Sequence, residues 1–215
     1  MGPMRRIKAV TPPPDAIATI KLNINLHPAQ KIIDTNQARF KCVMTGMRFG
    51  KTEYGVKYLL DGAGKRPGSK NWFIFPFAKQ GRSVVWQRLI NLIPKELIKG
   101  RPNKTLMDIP LVNGSEIGVR GSDNEESLLG ERLGRIVMDE AARQKAHVWE
   151  EILRSRLLDY RGEAMFITTP YGKNWFYKLY EYAKSGVDPE WAAFHFTTYD
   201  NPYISREELD KLKAT

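Results

Sequence analysis

The chain has 215 residues, 42% of them hydrophobic, enough to bury a substantial core and most simply arranged as one domain. Lysine and arginine outnumber the acids 34 to 24, and the resulting charge of +10 draws polyanions such as nucleic acid or an acidic membrane surface. No run reaches the roughly 18 apolar residues of a membrane-spanning helix, no secretion signal opens the chain, and a lone cysteine excludes an internal disulfide and a cysteine metal site; a soluble intracellular protein is expected.

Residues 1–16, with three consecutive prolines in "TPPPDA", suit neither helix nor central strand and read as a flexible leader, leaving 17–215 as the folded unit. In "LHPAQ" (26–30) the Gln30 side-chain amide offers the acceptor and donor that the N6 and N7 positions of adenine would take. "RFKCVMT" (39–45) is a short apolar strand in which Cys42 is a core thiol, and "KTEYGVKYLLDGA" (51–63) is a helix. Between them "TGMRFGKT" (45–52) places a glycine-containing turn before a helix that begins at a lysine, the context of a phosphate-binding loop. There the backbone N–H groups of Thr45, Gly46, Met47, Arg48, Phe49 and Gly50 would surround phosphates, Lys51 would reach the terminal ones, and the Thr52 hydroxyl would ligate magnesium. The usual pattern asks for glycine at Thr45, and Gly46 stands one place late.

"NWFIFPF" (71–77) is a second buried strand, and "QGRSVVWQRLINLIPKELI" (80–98) holds a helix disturbed by Pro94. Lys99, Arg101 and Lys104 follow as a basic surface loop. "TLMDIPLVNGSEIGVRG" (105–121) reads as two short strands around Asn113-Gly114, a pair that suits a type I′ hairpin turn. "GRIVMDEAA" (134–142) is an apolar strand ending in two acids: Asp139 can hold magnesium through water, and Glu140 can orient and deprotonate a water attacking a γ-phosphate. His147 and Trp149 sit in the helical stretch from 146 to 158 and read as packing residues. "EAMFITTP" (163–170) is a further strand, whose Thr168 and Thr169 hydroxyls are expected in the same crevice, because ligands of open parallel sheets lie beyond the carboxyl ends of strands. A helix (173–186) with core aromatics, a last strand (190–200) and a helix opened by a Ser205–Glu208 capping box (205–214) complete the chain. Apolar strands alternating with helices argue for an α/β fold with a mainly parallel sheet covered on both faces.

Four segments in order, "LHPAQ", "TGMRFGKT", "GRIVMDEAA" and "FITTPYGKNWFYKLY", resemble the ATPase domain of the large terminase subunit of tailed bacteriophages, the motor that packages DNA into proheads. "VNGSEIGVRGSDNEESLLGERLG" and "TTYDNPYISREEL" strengthen the likeness, which spans roughly residues 26–209. The resemblance implies a P-loop NTPase of the RecA/ASCE-like kind that hydrolyses ATP with magnesium. It implies Lys51 and Thr52 as phosphate and magnesium ligands, Asp139 as the magnesium-holding acid and Glu140 as the catalytic carboxylate. Thr168 and Thr169 become the coupling motif and Gln30 the adenine reader.

The implied partners are duplex DNA read without sequence preference, further copies in a ring on a portal or prohead, and the small terminase subunit; no membrane is involved. The expected location is the cytoplasm of the infected bacterial host. Two positions depart from the family: Met47 stands where many relatives carry arginine, with Arg48 one place later, and Leu129 stands where some carry an arginine that acts on a neighbour's ATP. Arg132, Arg120, Arg154 and Arg156 are the candidates for that arginine, Arg132 the nearest. The nuclease domain that usually follows is expected to be absent from this chain. Two other readings remain open at this stage: a helicase-like or DNA-repair ATPase, and a non-catalytic basic nucleic-acid-binding module.

Overall fold

The computed structural model describes residues 24–213, so the leader expected over 1–16 and the start of the folded unit at 17 lie outside the described residues. Seven strands form one sheet: β1 (Phe40–Thr45), β2 (Lys70–Phe75), β3 (Asp108–Pro110), β4 (Glu116–Gly121), β5 (Leu133–Asp139), β6 (Glu163–Thr168) and β7 (Trp191–Phe196). Their order across the sheet is β3-β4-β2-β5-β6-β1-β7, with every neighbouring pair parallel except the β3–β4 hairpin at the edge. The helices are α1 (Pro28–Thr35), α2 (Lys51–Lys65), α3 (78–92), α4 (148–156), α5 (Trp175–Ser185) and α6 (Arg206–Lys213).

Both faces of the central strands are buried, which is why they read as unbroken apolar runs rather than alternating ones. Successive residues nevertheless serve opposite layers. Phe73, Val137, Met165 and Ile167 pack with α1, α2 and α3, whereas Trp72, Ile136, Met138 and Phe166 pack with α4 and α5. In the second layer Trp149 is 2% exposed and meets Phe40, Phe166 and Trp191 edge-on at ring-centroid distances of 5.7, 4.7 and 6.3 Å. That is the packing role expected of Trp149. His147 instead lies at the surface, its Nε2 2.9 Å from Glu125.

Two local features differ from the sequence reading. At the β3–β4 turn Gly114 alone takes a left-handed backbone, φ 83°, and Asn113 does not, so the turn is not type I′. The Asn113 side chain instead bonds the Ala63 carbonyl at 2.8 Å and accepts from the Ser115 N–H at 3.0 Å, fixing the hairpin to α2. Helix α3 stops ahead of Pro94 as expected, but Arg82–Trp86 winds as a π-turn, and so does Val148–Leu153 in α4. None of the described helices is long and apolar enough to cross a membrane.

Candidate active site

The carboxyl ends of β1, β5 and β6, neighbours in the sheet, open onto a cavity of about 1050 Å³. The segment from Met47 to Glu53 forms one wall, Asp139, Glu140 and Arg143 another, and Thr169 and Tyr171 a third. The topology thus gathers residues that lie far apart in the chain.

The loop between β1 and α2 is held from behind. His27 Nε2 donates to the Phe49 carbonyl at 2.9 Å, Gln30 Nε2 to the Gly50 carbonyl at 3.1 Å and Asn201 Nδ2 to the Arg48 carbonyl at 2.7 Å. Phe49 anchors the loop in the core, 1% exposed and stacked on Phe196 at 5.3 Å. Gly50 adopts φ 92° as it enters α2, and a Cβ there would come within 2.7 Å of Gln30 Nε2. With the Phe49 and Gly50 carbonyls turned toward the buried His27 and Gln30 side chains, the N–H groups of the first helical turn are left for an anion. Thr45 explains the irregular motif: it is the last residue of β1, fully buried and still paired with Phe196, so the position usually given to glycine remains strand. It belongs to the loop's foundation and does not line the cavity.

Lys51 Nζ donates to the Gly46 carbonyl at 3.1 Å, spanning the loop mouth. Burial holds its ammonium below the usual lysine range, against the opposing pull of the Glu140 and Asp139 carboxylates. Asp139 is 5% exposed and accepts from the Thr52 hydroxyl and, at 2.8 Å, from the Glu140 N–H. Burial, with the Glu140 carboxylate beside it, pushes the Asp139 acid up to about 7. A buried carboxylate next to a hydroxyl is a pair of hard oxygen donors that a divalent cation would relieve.

Glu140 sits at φ 48°, a left-handed conformation that a glutamate adopts only under constraint, and opens the turn Ala141–Arg143. That turn is clamped on two sides. Gln144 donates to the Asp139 carbonyl at 2.7 Å and the Ile74 carbonyl at 3.1 Å, while Asn174 Nδ2 donates to the Ala142 carbonyl at 3.0 Å and caps α5 by accepting from Phe176 and Tyr177. The Glu140 carboxylate faces Thr169 Oγ1 at 3.5 Å and Arg143 Nε at 3.8 Å, and the Arg143 guanidinium lies over the Tyr171 ring at 4.7 Å.

Two expectations are corrected, and a third residue, Arg132, is placed. Thr168 does not share the crevice: successive strand residues point to opposite faces, and Thr168 is fully buried with its hydroxyl on the Thr169 carbonyl at 3.0 Å. Gln30 is 4% exposed, accepting from the His27 N–H at 3.2 Å while donating to Gly50, so it lacks the open amide edge that adenine pairing needs. Arg132 precedes β5 and pairs with Asp159 at 3.1 Å, at the end of the strand opposite Asp139. Its own site lies roughly 20 Å away at about 3.3 Å per strand residue.

Of the other arginines, Arg120 is tied to Asp108 at 2.6 Å and lies over Trp72 at 4.8 Å, whereas Arg154 and Arg156 sit on α4, outside the cavity. Met47 and Arg48 side chains are exposed at the cavity mouth, Arg48 at φ 58°. Sequence reasoning missed Arg143, Tyr171, His27 and Asn201. Arg143, three residues past Glu140, was the one with a local signal.

No family model matches the chain. In sequence it is similar to the terminase large subunit of Escherichia phage T5, 30% identical over 136 residues that cover 62% of this chain and 31% of the relative. It is also similar to the terminase large subunit of Thermus virus P23-45, 26% identical over 205 residues, 81% of this chain and 42% of the relative. The chain therefore spans less than half the length of these curated relatives. In structure it is similar to the large terminase ATPase domain of Thermus phage P74-26, with a TM-score of 0.77 and 22% identity over 90% of this chain and 89% of that one. The large terminase of a thermophilic bacteriophage, solved in complex with ADP, gives a TM-score of 0.70 at 14% identity, over 88% of this chain and 50% of that one. The fold is that of an α/β P-loop NTPase.

Proposed function

We propose that this chain, a homologue of terminase large subunits folded like their ATPase domain, binds and hydrolyses ATP to drive duplex DNA into a viral prohead. The observation that carries the reading is the convergence of Lys51, Thr52, Asp139, Glu140 and Thr169 in one cavity at the ends of three adjacent strands. That a structurally similar phage large terminase was solved in complex with ADP supports a nucleotide as the ligand.

The backbone N–H groups at the start of α2 and the Lys51 ammonium take the phosphates, replacing the internal bond of Lys51 to the Gly46 carbonyl. Thr52 and Asp139 are the oxygens that would hold magnesium, the hydroxyl directly and the carboxylate through water. When bound, that ion supplies charge neutralisation on the phosphate oxygens. Glu140 accepts a proton from the attacking water; the water oxygen bonds the γ-phosphorus as the bond to the β–γ bridging oxygen breaks, giving ADP and phosphate. Thr169, hydrogen-bonded to Glu140, joins this event to the end of β6. Before it can act, the Glu140 carboxylate must turn from Arg143 toward the water.

ATP hydrolysis is the chemistry proposed for the domain that the described residues form. The partners are duplex DNA gripped by sequence-independent phosphate contacts, copies of the chain in a ring on a portal, and the small terminase subunit, in the host cytoplasm. Within such a ring Arg132, exposed and remote from its own site, can serve only a neighbour. Equilibrium binding of a fluorescent ATP analogue tests the core of this reading. Glu140→Gln should bind within a few-fold of wild type while Lys51→Ala loses at least tenfold; equal binding by all three would sink it.

A further inference from the structure

A second recess, of about 480 Å³, lies at the opposite end of the sheet, beneath the amino ends of β1, β5, β6 and β7, and the proposed hydrolysis uses none of it. Its lining is cationic and partly buried. Lys41 and Arg135 are each 4% exposed. Arg135 reaches from β5 under α2, where its Nη1 donates to the Tyr58 carbonyl at 2.7 Å, its Nη2 pairs with Glu163 at 2.5 Å and its guanidinium lies over the Tyr58 ring at 4.2 Å. Its Nε has no hydrogen-bond partner, and neither does Arg66 Nη1 beside it. Room for this side chain is made by Gly62 in mid-helix, where a Cβ would collide with Arg135 Cδ. Glycine inside a helix is a poorer helix former than alanine, so the arginine is accommodated at the expense of α2.

The local acids leave cations uncompensated. Arg66 and Arg135 share Glu163, and Arg39 and Arg161 share Glu190. Lys57 pairs with both Asp34 and Asp61, and neither Lys41, hydrogen-bonded to the Ile33 carbonyl at 2.9 Å, nor the exposed Lys65 forms an ion pair of its own, although the Glu163 and Asp34 carboxylates act on Lys41 from a distance. Burial, aided by the charge of Arg135 and opposed by the Glu163 and Asp34 carboxylates, brings the Lys41 ammonium down to about 8. Together these groups carry seven positive and four negative charges, a net surplus of three that a tetrahedral oxyanion with two charges would largely offset, and the guanidinium and ammonium donors match its oxygens.

We propose that this recess is a second anion site that binds a phosphate group, either free phosphate or the terminal phosphomonoester of a nucleic acid. The test uses the full chain carrying Lys51→Ala, so that the nucleotide site cannot report, titrated with inorganic phosphate by calorimetry at constant ionic strength. Saturable binding of one phosphate per chain is expected. It should weaken at least tenfold when Lys65→Ala or Lys41→Met is added. Lys65 is exposed, so its variant should keep the parent melting curve even if Lys41→Met folds poorly. A 5′-phosphorylated oligonucleotide that competes better than its 5′-hydroxyl counterpart would identify the source as a nucleic-acid end, and equal competition would identify free phosphate. No saturable binding, or binding indifferent to Lys65 and Lys41, overturns the proposal.

Discussion

Glu140 combines a left-handed backbone with the carboxylate proposed to act on water, so at this residue stability and chemistry oppose each other. Asparagine tolerates that conformation better than glutamate. Glu140→Asn should therefore abolish turnover yet raise the melting temperature by a few degrees, as about 1 kcal/mol does in a domain of this size; a lower melting temperature would show that φ at this site is not strained. Asp139 makes a pH-dependent contribution of the same kind. Its folded acid near 7 lies above the ordinary value of 3.8, so the folded state holds the extra proton, and the stability this gives is present at low pH and lost as pH rises through that window. Without metal, the melting-temperature gain from Asp139→Asn should grow between pH 5 and pH 8; a constant difference would refute the raised acid.

Gln30 makes the third residue-scale prediction. As a brace on the Gly50 carbonyl, its loss in Gln30→Ala should weaken ATP and GTP binding together by several-fold, whereas an adenine reader would lose ATP alone. That Lys51, Asp139 and Glu140 meet in one cavity was legible in the sequence, because each lies at or just beyond the end of an apolar strand. The burial of Gln30 and Thr168 was not, because it depends on which way an element faces once packed.

At the scale of elements, strand and helix order could be read from apolar runs and glycine or proline breaks. The conformation inside the elements could not. The π-turns Arg82–Trp86 and Val148–Leu153 carry no composition that separates them from ordinary helix, and the Asn113-Gly114 turn is decided by the bond of Asn113 to α2 rather than by the dipeptide. The second of these π-turns carries Trp149 into the layer below β1, β6 and β7. Trp149→Ala should cost about 3–5 kcal/mol of unfolding free energy, measured by denaturant titration. It should leave ATP affinity per folded molecule unchanged, because the cavity lies at the strand ends and not in that layer. A loss below about 1 kcal/mol would show that the aromatic cluster is not the support that its packing implies.

At the scale of the whole molecule, the order β2-β5-β6-β1 turns a sequence separation of 88 residues between Lys51 and Asp139 into one site. Chain order alone does not give this adjacency; the parallel crossovers do, by sending β1 to the far side of β6. The two ends of the sheet then differ in kind. Glycine loops and acids gather at the carboxyl ends, and surplus cations gather under the amino ends.

The claim that joins these scales is that the carboxyl-end cavity hydrolyses ATP. Magnesium-dependent phosphate release, followed across a protein concentration series beside Lys51→Ala and Glu140→Gln, tests it most directly. Turnover in the wild type, reduced at least a hundredfold in both variants and rising more than linearly with protein, is the predicted result, because the exposed Arg132 is proposed to act on a neighbouring copy. Turnover that persists in Glu140→Gln, or none in the wild type at any concentration with or without duplex DNA, would contradict it.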